Sequence, residues 1–143
     1  MTVDSLSIQE QANRLYRGKG LAPMVRASTT PLRSLALEYG ADLIYTDELV
    51  DRSLSQTIRC ENTVLGTIDY VKDVSKLSQK AQRKLEQEDR PCLIVRIDPK
   101  KEKSKLVCQI GTGEPDLALE AAQHVYQDFA AIDVNMGCPK KFS

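Results

Sequence analysis

The chain has 143 residues, enough for one domain with a real core. Lys plus Arg (20) balance Asp plus Glu (20), so net charge neither requires nor excludes a nucleic-acid partner, and polyanion contacts must come from local patches. No apolar stretch approaches the roughly 20 residues of a membrane helix, and the polar run Met1 to Gln11 has no signal-peptide character, so the chain reads as cytoplasmic.

Residues 1–19 read as a lead-in segment, loose or weakly helical, ended by Gly18-Lys19-Gly20. Leu21 to Val25 is a short apolar run, expected as a first buried strand. Thr30-Pro31 supplies an N-cap hydroxyl and a first-turn proline. Leu32, Leu35, Ala36 and Tyr39 then recur at helical spacing, and Gly40 is a natural stop. Leu43 to Thr46 is a second strand running into Asp47-Glu48-Leu49. Strand, helix and strand follow one another in about thirty residues, the rhythm of a parallel sheet.

The middle of the chain is less regular. Thr67 to Val71 alternates like a short strand, and residues 74–88 are charged and helix-forming. Leu93 to Ile97 and Leu106 to Ile110 are predicted as adjacent strands joined by the basic turn Lys100-Lys101-Glu102-Lys103. A helix opens at Pro115, with Ala118, Ala121, Ala122, Val125 and Phe129 as its buried stripe. Ala131 to Val134 is a further strand, and the Asn135-Met136-Gly137-Cys138-Pro139 turn follows it.

Repeated βα units in one sheet leave two main architectures, a doubly wound sheet or a (β/α)8 barrel. Ligands sit beyond the C-terminal strand ends in both. Neither a GxGxxG turn nor a GxxxxGKS loop occurs, which weakens the nucleotide-binding doubly wound alternative. The cysteines Cys60, Cys92, Cys108 and Cys138 are scattered and read as free thiols, without the clustering zinc requires.

The residues that carry chemistry gather at predicted strand ends. Cys138, between Gly137 and Pro139, is either a reactive or proton-donating thiol at the sheet's mouth or a small buried hydrophobe. Gln109 is a polar residue inside an apolar strand, and a buried amide must find hydrogen-bond partners, in a ligand or in neighbouring backbone. Asp47 is expected to face solvent and His124 to sit on a helix surface.

Taken together, LAPMVRASTTPLRSLALEYGADLIY, the Thr-Asp-Glu-Leu after it and AIDVNMGCPKK resemble the tRNA-dihydrouridine synthases, closest to the eukaryotic branch acting on uridine 20. The resemblance implies an FMN-linked (β/α)8 barrel that reduces uridine in tRNA to 5,6-dihydrouridine at the expense of NADPH. It makes Cys138 the general acid that protonates C5 of the uracil, a role suited to a thiol, whose free pKa of roughly 8.5 leaves it mostly protonated at neutral pH. Pro23, Met24 and Val25 would lie along the flavin ring and Gln109 would meet its pyrimidine edge. Glu48 would line the flavin or uridine pocket. Asn135 would either bond the uracil edge or hold the turn. Arg26 would meet phosphate or substrate, unless it is an ordinary surface arginine. Lys100, Lys101, Lys103, Lys105, Lys140 and Lys141 are candidates for tRNA phosphates, the first four equally readable as a solvated loop.

A complete barrel needs about 250 residues. The expected organisation is therefore a lead-in over 1–19 and, over 20–143, the first four βα units of the barrel, its N-terminal half. The family's later lysine, histidine, Gly-rich phosphate turns and helical tRNA-binding domain have no counterpart in this sequence. A small-molecule flavin reductase and a non-catalytic half barrel stay open as alternatives.

Overall fold

A computed structural model describes residues 7–80, 82–83 and 92–140. Helix α1 (Ile8–Leu15) opens the described chain. It is held by a capping box, in which the Ser7 side chain accepts the Glu10 N–H and the Glu10 carboxylate accepts from the Ser7 N–H. This cap fixes the start of a defined helix within a lead-in expected to be loose or weakly helical.

Strand β1 is only Gly20–Leu21. The run expected to continue to Val25 turns away, because Pro23 has no N–H for a ladder and the Met24 N–H goes to Ser28 Oγ at 2.9 Å. Met24 and Val25 are left 38% and 68% exposed. Helix α2 (Thr30–Glu38) follows, with Thr29 rather than Thr30 at the N-cap position and no side-chain cap bond there, while Thr30 Oγ1 donates to the Arg96 carbonyl. Its inward face is Arg33, Ala36 and Leu37, whereas the expected Leu35 and Tyr39 point to solvent. Arg33 draws that face inward through a buried ion pair with Glu102. Gly40 adopts φ 87°, the left-handed conformation that ends a helix.

Strands β2 (Leu43–Tyr45) and β3 (Leu49–Val50) both pair with β7 (Leu106–Gly111), one after the other. Tyr45 to Leu49 takes four steps where Val107 to Ile110 takes three, so one extra residue bulges out between them. Helix α3 (Asp51–Ser55) leads into an antiparallel sheet of β4 (Thr57–Asn62), β5 (Thr67–Lys72) and β6 (Leu93–Ile97). The expected Thr67 strand is present. The expected pairing of Leu93–Ile97 with Leu106–Ile110 is not: β6 belongs to the antiparallel sheet, and β7 lies inside the parallel one. Of the helix expected over 74–88, Val74–Lys76 forms a 3-10 turn capped by Asp73, and residues 81 and 84–88 lie outside those described.

Helix α4 (Pro115–Val125) and β8 (Ala131–Val134) complete the βα rhythm. The stripe Ala121, Val125 and Phe129 is buried as expected, with Ala122 packed partly against the core. Parallel order runs from β1 to the β2–β3 strand, then β7, then β8. Each neighbour follows in chain order, without the reversal that defines a doubly wound sheet. Every residue of β7 is buried, as a central parallel strand requires. Ile44, Leu106, Cys108, Ile110, Ala121 and Val125 form one core with Ile68, Tyr70, Val95 and Ile97 of the antiparallel sheet. No helix among the described residues is long and apolar enough to cross a membrane.

Candidate active site

Parallel strands end together, so the segments after β1, β3, β7 and β8 share one rim. On that rim the register sets Gln109 of β7 beside Asp133 of β8. Gln109 is 9% exposed. Its Nε2 donates to Asp133 Oδ2 at 2.8 Å, and its Oε1 accepts from Asn135 Nδ2 at 3.4 Å. Asn135 Oδ1 accepts the N–H of Gly137 at 2.9 Å and that of Cys138 at 3.1 Å. The Asn135 N–H in turn extends the ladder to the Ile110 carbonyl. Gln109, distant in sequence, thus joins Asn135 and the half-buried Cys138 in one hydrogen-bonded unit. Partners for the buried amide turn out to be side chains on the next strand and turn.

The bulge before β3 supplies the opposite wall. Thr46 Oγ1 accepts the Gln109 N–H at 3.1 Å, standing in for a ladder carbonyl. This leaves Asp47 and Glu48 at the rim. Gly111 lies against the Glu48 carboxylate so closely that a Cβ there would stand 2.6 Å from Oε1. Asp47, expected in solvent, is half-buried. Burial pushes its carboxyl above the ordinary aspartate range, and N–H bonds, one from Arg26, oppose this only in part. Through that bond the turn Pro23-Met24-Val25-Arg26 is tied to the bulge. Arg26 is exposed with φ 65°, an uncommon conformation for a non-glycine residue. Pro23 is half-buried beside the exposed Met24 and Val25, so the turn offers an apolar edge at the rim.

Cys108 lies one residue before Gln109 but points into the helix-side core. Burial pushes its thiol far up, with the Asp47 charge adding to the effect. Such a thiol is inert. Cys138 is therefore the thiol associated with the rim. No group of His, Cys, Asp or Glu among the described residues could hold a metal ion.

Other residues singled out in the sequence lie elsewhere. Lys100, Lys101, Lys103 and Lys105 precede β7 and therefore flank the opposite, N-terminal end of the sheet. They therefore do not frame the rim around Cys138, and Lys101 instead pairs with Glu38 at 3.7 Å. Glu102, within that basic turn, is fully buried against Arg33. Lys140 follows the site and is exposed, whereas Lys141 lies outside the described residues. His124 is half-buried rather than on an open helix surface. Its Nε2 lies 3.0 Å from Thr57 Oγ1, and its ring meets Tyr70 edge-on at 5.7 Å.

Sequence reasoning missed Asp133 and Thr46. Asp133 carried the same signal as Gln109, a polar residue inside an apolar strand. Thr46 carried none, because a threonine at a strand end is ordinary.

The dihydrouridine synthase (Dus) family model matches residues 20–143. The tRNA-dihydrouridine(20) synthase (NAD(P)+) of Saccharomyces cerevisiae is 47% identical over 129 residues, covering 90% of this chain and 31% of the relative. Its namesake from Schizosaccharomyces pombe is 40% identical over 123 residues, covering 86% of the chain and 23% of the relative. The tRNA-dihydrouridine(16/17) synthase of S. pombe is 30% identical over 129 residues, covering 90% and 25%. The chain spans less than a third of the length of these curated relatives. The family match begins at Gly20, the first residue of β1, and takes in every parallel strand: the chain belongs to the dihydrouridine synthase family.

Proposed function

We propose that this chain carries the uridine-reducing site of an FMN-dependent, NADPH-consuming tRNA-dihydrouridine synthase, as the N-terminal half of a (β/α)8 barrel. The observation that carries the proposal is the Gln109–Asn135–Cys138 unit at the strand ends. Chain-order addition of parallel strands supports the barrel. The printed names of the relatives support uridine 20 of tRNA as substrate.

The chemistry of the rim residues would suit a flavin. An amide has two N–H donors and two acceptor lone pairs. After bonding Asp133 and Asn135, Gln109 keeps one of each. The remaining donor and acceptor would serve the pyrimidine edge of an isoalloxazine. Met24 and Val25, left exposed at the end of β1, would cover its apolar flank, with Pro23 behind them. Glu48, against Gly111, would line the pocket on the far side of the bulge. Bound FMN, reduced by NADPH, would supply the hydride that adds to C6 of the uracil.

The chain's own part is to hold the base and move one proton. A uridine in folded tRNA must leave its stack to be reached, as base-modifying enzymes require. Asn135, which accepts the Cys138 N–H, would orient the uracil edge, and Arg26 on the exposed turn would meet the substrate backbone. Cys138 S–H would give its proton to C5, leaving a thiolate that takes a proton back from water. Uracil thereby gains one hydride and one proton, and its C5–C6 double bond becomes single.

The test is Cys138→Ala in a polypeptide that completes the barrel beyond Ser143. FMN should remain bound, seen as its absorbance band, while dihydrouridine formation on tRNA falls at least a hundredfold, within the range of general acid catalysis. Undiminished formation would remove the role of Cys138. Reduction of free uracil without reduction of tRNA would overturn the substrate assignment.

A further inference from the structure

Asp133 lies on a strand whose other residues are Ala131, Ile132 and Val134. A carboxylate there needs a reason, and its partner supplies one. An ionised carboxylate only accepts hydrogen bonds. Facing Asp133, the Gln109 amide must therefore present Nε2, at 2.8 Å, and turn Oε1 the other way. That oxygen also only accepts, so Asn135 must present Nδ2 to it. Asn135 Oδ1 is then left for the N–H groups of Gly137 and Cys138. Those backbone groups only donate, so the far end demands the same orientation. Neither amide can flip without losing hydrogen bonds on both sides.

We propose that Asp133 is a positioning residue: together with the Gly137 and Cys138 N–H groups at the far end, it fixes the donor–acceptor direction of the Gln109–Asn135 relay and thereby steadies the turn that carries the Cys138 thiol. The consequence for catalysis rests on Cys138 being the proton donor, but the relay itself does not. Asp133 touches the thiol only through Gln109, Asn135 and the turn. In the same orientation Gln109 keeps its remaining donor and acceptor, so one carboxylate arranges both the amide side and the thiol side of the rim.

The direction of the relay is testable without turnover, by amide hydrogen exchange on the chain. At a pH high enough that the two groups share no proton, Gln109→Glu places two carboxylates face to face and should lower protection of the Gly137 and Cys138 amides at least tenfold. The Cys108 and Ile110 amides, inside β7, should change less than twofold. The exchanged pair, Asp133→Asn with Gln109→Glu, restores a donor facing an acceptor and leaves Asn135 as it was. Protection of the turn should return to within threefold of the original. A purely structural role for Asp133 predicts that the double variant is no better than the single one. That result, or unchanged turn protection in Gln109→Glu, overturns the proposal. Both replacements are near-isosteric, so the test does not depend on a truncating Asp133→Ala variant that fails to fold. An active Cys138→Ala enzyme would sink the catalytic reading and leave the relay standing, so the two failures are separable.

Discussion

Asp47 lies in an environment that its sequence does not announce. Within Thr-Asp-Glu-Leu it reads as a surface acid, yet the bulge turns it into the rim, where burial raises its carboxyl pKa despite the Arg26 N–H. Burial thus disfavours the charged form in the folded state only. Between the ordinary aspartate value, about 3.9, and the raised folded value, the unfolded chain gives up a proton that the folded chain retains. Stability contributed by this site therefore falls as pH rises through that window and stays low above it. Asp47→Asn removes the titration and keeps an oxygen for the Arg26 N–H. The variant should have the higher urea midpoint at pH 7, with the difference shrinking at pH 3, below the window. A difference of equal size at both pH values would show that ionisation of Asp47 does not weigh on the fold.

Among the elements, the split strand β2–β3 has most to do with the site, and it was only half legible. Leu43 to Thr46 announces a strand by its apolar run, and Leu49-Val50 announces nothing. At the bulge between them Thr46 Oγ1 accepts the Gln109 N–H, a bond between residues 63 apart that no local pattern encodes. Thr46 is fully buried. Thr46→Val keeps the shape and strips the acceptor, leaving the Gln109 N–H unsatisfied inside the sheet. The expected cost is about 1–3 kcal/mol, read as a lower denaturation midpoint. The relay on the other side of β7 is untouched by this change. A Thr46→Val protein as stable as the original would mean that the ladder closes without the hydroxyl. By contrast, the Asn135–Cys138 turn was legible because its chemistry is short-range. An Asn whose side chain accepts from backbone N–H groups two and three residues on is written in the sequence itself.

The whole molecule is assembled around an interaction that the sequence conceals. Repeated βα units, the central strand and helix α4 follow from hydrophobic period and turn residues, so the parallel sheet could be read. The seating of the antiparallel sheet against it could not. Arg33 Nη1 donates to the Ser28 carbonyl in the turn after β1, and Nη2 to the Arg96 carbonyl of β6 at 2.6 Å. Its Nε and Nη2 both reach Glu102, in the turn between β6 and β7, at 2.9 and 3.1 Å. Glu102 Oε2 also accepts the Asp98 N–H at 2.8 Å. One guanidinium therefore joins the rim turn, the inserted sheet and the return to the central strand. Its partner is 69 residues away and sits among lysines, so Lys100-Lys101-Glu102-Lys103 reads as a solvated turn. Both side chains are essentially inaccessible, at 1% and 0% exposure. Removing one member of such a pair leaves an uncompensated buried charge and costs about 3–5 kcal/mol. The neighbouring Lys101–Glu38 pair, exposed and 3.7 Å apart, serves as the internal control, since pairs of that kind contribute about 0–1 kcal/mol. Glu102→Ala should therefore shift the denaturation midpoint several times further than Lys101→Ala. Replacing both partners together, as Arg33→Met with Glu102→Leu, should recover much of the loss, because no charge is then stranded. Equal shifts for the two single variants would mean that something other than the Arg33–Glu102 pair seats the antiparallel sheet.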